Sequence, residues 1–416
     1  MRLIVITEFN TMYKIICFIL TFIIINIQPI FAQTQSIQIK TDLNFFSKNF
    51  LGVKNGVRYS TKNTTKLDLK YDLKNSSSQL SLNYTGDGKY TLDGSYLHHT
   101  SGIVTFGVGS IDRHWSLSNN TSLILSQNVR PIKSVYLKLE NNFKYDWMPP
   151  ETNWTFEAFN GFTEGSLNNA RSMLAGFRAI LTPVEGLDFE LVQTSQWGGK
   201  NYSTGISALG AAMLFDTNSG SNSNINKMSG FGISYKIPFK TIPLRIYGQA
   251  IGEDEAGNLP SCFSYLAGLE WTNTKIKYPT ILGIETVDTR VDTTTFGFCG
   301  PNTMYNNSTY EYTNYGKSIG AAIDTEGTSF NLYIHSQISP NMNIKFETKS
   351  VVINDNNWSE HRLSTKRQTG FINTLGVSWV KNNINFNGNI YNQGFNLDKA
   401  NIIKGHGIGF SSSLLF

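Results

Sequence analysis

The chain has 416 residues, enough for two or three ordinary domains or for one large β architecture. Only 16% of its residues are charged, against about 25% in typical soluble domains. The net charge is +5 and falls by one when residues 1–32 (with Arg2, Lys14 and Glu8) are removed, a balance too mild to imply a nucleic-acid partner.

The first 32 residues differ from the rest. Lys14 precedes the apolar run IICFILTFIIINIQPIFAQ, which ends in Pro29-Ile-Phe-Ala32. A basic start, an apolar centre and a small residue before a polar segment describe an export signal, cleaved after Ala32. Met12 is an alternative start. A membrane anchor is the competing reading, since about 18 apolar residues can just cross a bilayer. Cys17 lacks the small and leucine-type residues that precede a lipoprotein cysteine. Residues 33–75 are polar and Lys-rich, with a short helix at IKTDLNFFSKNF (39–50) as one reading. They form either an N-terminal periplasmic or plug element or simply the first strands.

From residue 76 to 416 the recurring pattern is alternation with a period of two, in segments of about ten residues separated by polar, Gly- and Asn-rich turns. It appears in SVYLKLENNFKYDW (134–147), LDFELVQTSQW (187–197), IPLRIYGQAIG (242–252), SFNLYIHSQI (329–338) and MNIKFETKSVV (342–352). It is clearest in NINFNGNI (383–390), where Ile384, Phe386 and Ile390 share one face and four asparagines share the other. One apolar face and one polar face suit lipid outside and water or packed polar groups inside. In the closing GHGIGFSSSLLF, Ile408, Phe410, Leu414 and Phe416 share one parity. The terminal Phe416 resembles the signal that outer-membrane barrels present to their insertion machinery. The class is therefore all-β, a transmembrane antiparallel β-barrel. At roughly 20–22 residues per strand and turn, the chain allows about 18 strands. A soluble β-sandwich would also alternate, but it explains neither the leader nor the terminal Phe. Cys262 and Cys299 are the two cysteines outside the leader, and their spacing leaves open whether they pair.

Several stretches invite chemical readings. In SIDRHWSLSNNTSLILSQNVRP (110–131), Asp112, His114 and the serines supply the atoms of a nucleophile triad. Nothing brings a serine to the imidazole, and SLILS reads as a return strand after a turn. The acidic run Glu253-Asp254-Glu255 lacks the alternate spacing of a calcium loop and reads as a solvated rim cluster. QWGGK (196–200) has two glycines but no following helix, so a phosphate cradle is weak. No metal-ligand spacing stands out, His98-His99 included, and no cofactor is implied.

Taken together, these stretches are more specific than any one alone. SIDRHW…SLILSQNVRP, TSQWGGK (194–200), GEDEAGNLPSCFSYLAGLEW (252–271) and MYNNSTYEYTNYGKSIGAAIDTEG (304–327) occur in the order found in the Wzi family. The chain resembles that family over most of residues 100–350. It departs at SLSNN (116–120), where the family has a Gly/Pro-rich connection, and its amino-terminal region only faintly matches the family's helical plug. The resemblance implies an eighteen-stranded outer-membrane barrel that attaches capsular polysaccharide to the cell surface by lectin-like binding and catalyses nothing. The expected partners are surface or capsular polysaccharide, outer-membrane lipid and lipopolysaccharide, and the barrel-insertion machinery; the expected state is a monomer.

Residue chemistry adds candidates. Sugars bind aromatic faces, here Trp115, Trp197, Tyr305, Tyr310 and Tyr312, and hydrogen-bonding groups, here Asp112, Asn128, Gln196, Glu253, Asp254 and Glu255. Arg113 and Arg130 can grip carboxylates bidentately. The alternative for all of them is a packed polar network in the lumen or an aromatic girdle. Two other functions compete with polysaccharide attachment: a porin-type diffusion or solute channel, and, more remotely, an outer-membrane hydrolase.

Overall fold

The computed structural model describes residues 36–51, 63–140, 152–164, 171–200, 202–214, 225–238, 243–256, 259–273, 276–291 and 299–416. The leader at 1–32 lies outside them. β1 (Ser36–Phe46), β2 (Asn63–Asp72) and β3 (Ser76–Thr85) are followed by a two-residue β4 (Tyr90–Thr91), β5 (Tyr96–Ser101), β6 (Val104–Ser110) and β7 (Lys133–Glu140). Next come β8 (Asn153–Phe162), β9 (Met173–Val184), β10 (Leu187–Trp197), the helix α1 (Ile206–Leu214) and β11 (Asn226–Lys236). β12 (Leu244–Ala256), β13 (Leu259–Asn273) and β14 (Thr280–Asp288) lead to a small hairpin of β15 (Thr313–Asn314) and β16 (Lys317–Ser318). The chain ends with β17 (Thr328–Ser339), β18 (Met342–Ile353), β19 (Gln368–Lys381), β20 (Ile384–Gln393) and β21 (Gly405–Leu415).

Leaving aside β4, β15 and β16, each strand pairs antiparallel with the next, and β21 returns to β1, which closes an 18-stranded barrel. The seam runs from Lys40↔Leu415 to Phe46↔Gly409, and the Phe416 amide donates to the Ile39 carbonyl at 2.8 Å. Closure leaves no sheet edge, so backbone polar groups are satisfied without water. The alternation has its expected cause. Phe106, Leu191, Phe371, Ile390 and Ile408 are exposed on the outer face, while Asn331, Glu347, Tyr391 and Gln393 point inward on β17, β18 and β20. Inside, Gly268 and Gly283 have no side chain because the rings of Tyr247 and Tyr333 lie across them, 2.2 Å from where a Cβ would stand.

Two sequence expectations change. The segment 39–46 is strand rather than helix. Leu43 and Phe45 face outward between the inward Asp42 and Asn44, and the segment's backbone pairs with both β2 and β21. A helix there would leave two strand edges bare in lipid. Of the two readings of residues 33–75, the described parts are therefore barrel strands, and the barrel starts at Ser36, not at residue 76. SLILS is likewise no return strand. Leu123, Ile124 and Leu125 are all buried, without alternation, in a connection folded into the lumen.

The connections sort by end. Turns such as Leu73–Asn75, Glu185-Gly186, Pro340-Asn341 and Asn382-Asn383 are short and lie at the end that holds the last residue. The long connections, 111–132 and 299–327 among them, lie at the other end and turn inward, where they build the main apolar core.

Candidate functional site

The centre of the lumen is the 111–132 connection, the plug loop. It is held by charged and amide side chains that project inward from the strands. Arg113 Nε donates to Glu157 on β8 at 2.7 Å, and its guanidinium lies 4.4 Å from the Phe159 ring centroid. On β9, Arg178 pairs with Glu190 of β10 at 2.7 Å and donates to the Ser116 carbonyl at 3.0 Å. Arg245 of β12 donates to the Leu117 carbonyl at 2.9 Å, and Ser118 Oγ donates to Glu285 on β14. The SLSNN connection, whose shape sequence left open, is thus tied to the wall at three successive residues. Gln249 on β12 spans the loop: its amide nitrogen donates to the Trp115 carbonyl (2.8 Å) and to Glu190 (2.9 Å), and its oxygen accepts from the Leu123 amide (3.0 Å).

The other family-like motifs converge on SLILS. Tyr305 donates its hydroxyl to the Leu123 carbonyl at 2.5 Å, and Tyr312 donates to the Ile124 carbonyl at 2.7 Å. Their rings stack with centroids 5.9 Å apart. Gln196 accepts from the Tyr312 amide at 3.0 Å, and Glu253 from the Tyr305 amide at 2.8 Å. Tyr310 donates to the Gly198 carbonyl within QWGGK at 2.8 Å, and Trp197 donates to Asn160 at 3.2 Å. The 299–327 connection that supplies these tyrosines is fastened to β13 by a disulfide between Cys262 and Cys299. In the chain-entropy model a bridge over 37 residues contributes about 4 kcal/mol.

The candidate residues separate on this geometry. Trp115, Trp197, Tyr305, Tyr310 and Tyr312 are each no more than 2% exposed, so they face protein and offer no surface to a polymer in solvent. Arg113, Gln196 and Glu253 are buried with them. Asp112 is exposed and lines a cavity of about 380 Å³ between the plug loop and β1–β3. Arg130 forms a bidentate pair with Asp93 (2.8 and 3.1 Å), and Asn128 donates to the Ser318 carbonyl at 3.0 Å. The side chains of Asp254 and Glu255 lie outside the described residues. His114 engages the Ser118 carbonyl at 2.7 Å through Nε2, and the nearby Ser122 hydroxyl donates to the Trp115 carbonyl. Both groups of the suspected triad are thus occupied by backbone.

Sequence reading missed the wall residues that hold the plug: Asp93, Glu157, Arg178, Glu190, Arg245, Gln249 and Glu285. For the five charged strand residues Glu157, Arg178, Glu190, Arg245 and Glu285 the available signal was parity, because a charge inside an alternating strand must sit on the face away from lipid; Asp93 lies in a turn between β4 and β5.

The Wzi capsule assembly protein family model matches residues 46–395. The chain belongs to that family. Wzi of Escherichia coli, described as an outer-membrane, carbohydrate-binding β-barrel involved in group 1 capsule assembly, superimposes with a TM-score of 0.77 at 20% identity. The match covers 91% of this chain and 84% of that Wzi. An uncharacterized 55.8 kDa protein from the cps region of Klebsiella pneumoniae is 25% identical over 169 residues, 39% of this chain and 33% of that protein. The alignment thus spans a third of that relative. Pseudomonas aeruginosa OprD shares the barrel more distantly, with a TM-score of 0.52 at 10% identity over 92% of this chain and 94% of its own.

Proposed function

We propose that this chain is an outer-membrane barrel that holds capsular or related surface polysaccharide on the cell by non-covalent, lectin-like contacts. The observation that carries the reading is the filled lumen, in a chain of the Wzi family. Apolar and hydrogen-bonded side chains of the plug occupy the space that a diffusion channel keeps wet. Family membership and the carbohydrate binding described for the Escherichia coli protein support the ligand class. The polymer would then meet the long-loop end, and many weak contacts along one chain would add up through effective concentration. No reaction is assigned. The buried candidates shape and stiffen that end, and sugar contact falls to residues at the plug's outer rim.

Deleting the gene tests this. Cells should make the same total polysaccharide but shed it into the medium, as measured by uronic acid or hexose assay of pellet and supernatant. An unchanged cell-bound fraction overturns the reading.

A further inference from the structure

At the long-loop end, five connections meet around a cleft of about 210 Å³. It is smaller than the roughly 300–1,000 Å³ of sites for drug-sized ligands, and so is on the scale of one sugar ring. The β15–β16 hairpin forms one wall. Its two-residue turn, Tyr315-Gly316, has positive φ at both positions (54° and 69°), which turns the chain back sharply and sets Tyr315 and Lys317 along the cleft. Asn49, Asn128, Lys399 and Asn401 complete the polar lining.

Lys317 is the unusual member. It is partly buried, and its ammonium makes no hydrogen bond or ion pair among the described residues. Burial alone pushes its ammonium down to about 8. The carboxylate that also lines the cleft, Asp324, is committed to Arg362, which donates to it at 2.8 Å from Nε. With that pair neutral, Lys317 and Lys399 leave the cleft cationic. Two further polar atoms at its wall, Asn49 Oδ1 and Ser318 Oγ, are buried without a hydrogen-bond partner. Tyr315 is 36% exposed, and its ring lies 3.9 Å from the Arg130 guanidinium, which fixes its orientation.

A desolvated ammonium without an anion costs free energy that a bound anion would recover. An aromatic face beside amides and an ammonium is the chemistry of an acidic sugar site. We propose that the cleft between the β15–β16 hairpin and Lys399 is a subsite for one carboxylate-bearing sugar of a polysaccharide chain. This rests on the polysaccharide-holding reading and names its substrate class. The cleft is lined by inward connections and not by the outer face of the barrel, so a phosphate on an outer-leaflet lipid is not the fitting source of charge.

The test uses the full chain in nanodiscs, with binding measured calorimetrically. The probes are oligogalacturonate, a neutral maltooligosaccharide of equal length and inorganic phosphate. Oligogalacturonate should bind, and Lys317→Met should weaken it at least tenfold without lowering thermal stability. Lys317→Arg should retain binding. Affinity in the parent protein should fall as pH rises through about 8, whereas in Lys317→Arg it should stay level. Equal binding of the neutral sugar, displacement by phosphate at equal concentration, or an unaffected Lys317→Met would each overturn the subsite. If the parent chain retains capsule on cells yet binds no oligogalacturonate, this inference fails and the proposed function stands.

Discussion

At the scale of single residues, an inconspicuous side chain in the sequence makes three connections in the lumen. Gln249 sits in IYGQAIG, an ordinary alternating stretch, yet it satisfies a carbonyl, an amide and a carboxylate at once. Gln249→Leu would orphan the buried Leu123 amide, at about 1–3 kcal/mol, and take one of two donors from the Trp115 carbonyl, which keeps the Ser122 hydroxyl. The temperature at which the barrel loses its compact migration on unboiled gels should drop clearly; an unchanged temperature would show that the amide does not hold the loop. The aromatics are the opposite case, conspicuous in sequence and buried in the structure. Residue type does not tell a ring stacked on sugar from a ring stacked on its neighbour, and Tyr305 and Tyr312 stack on each other. The outer rim also carries a pH response. Burial pushes the Asp324 carboxyl up, but the Arg362 guanidinium outweighs it and holds the group below its ordinary value. A lowered carboxyl stabilises above the unfolded value of about 4 and loses that contribution as pH falls through its folded value. Burial also holds the His361 imidazole of this loop below its ordinary value. The pair is therefore read as the difference between the parent and Asp324→Asn in an acid titration followed by tryptophan fluorescence. That difference should be lost only below about pH 4; a difference already gone above pH 5 would contradict the pair.

At the scale of elements, strands were legible and the plug was not, for one physical reason. Lipid on one side and polar contents on the other impose a period of two, which NINFNGNI and LDFELVQTSQW display. The plug loop is surrounded by protein, so Leu123, Ile124 and Leu125 are buried consecutively and imitate a strand's apolar run. The same ambiguity made 39–50 look helical, because a short polar segment carries no decisive period until its partners are known. If the loop is what fills the lumen, replacing residues 112–131 with a short Gly-Ser turn should convert a weakly conducting barrel into an open one. Planar-bilayer recording reads this directly. Equal conductance before and after the replacement would remove the loop from that role.

At the scale of the whole molecule, the strand number followed from length because each crossing and turn consumes a nearly fixed number of residues. The closing seam was legible only as a terminal aromatic; that Phe416 also bonds the Ile39 backbone required the fold. Deleting Phe416 should reduce barrel recovered in the outer-membrane fraction several-fold, measured by immunoblot after fractionation. Normal recovery would show that neither the bond nor the terminal ring is needed. The anchorage of the plug has a mechanical side as well. A polymer held at one end of the barrel transmits drag from moving fluid to whatever grips it. Here that pull would pass from the inward loops through Arg113, Arg178, Arg245, Gln249 and Ser118 into β8, β9, β10, β12 and β14. Tension shared among five staves of a closed barrel would load each of these hydrogen bonds less than a single anchorage would.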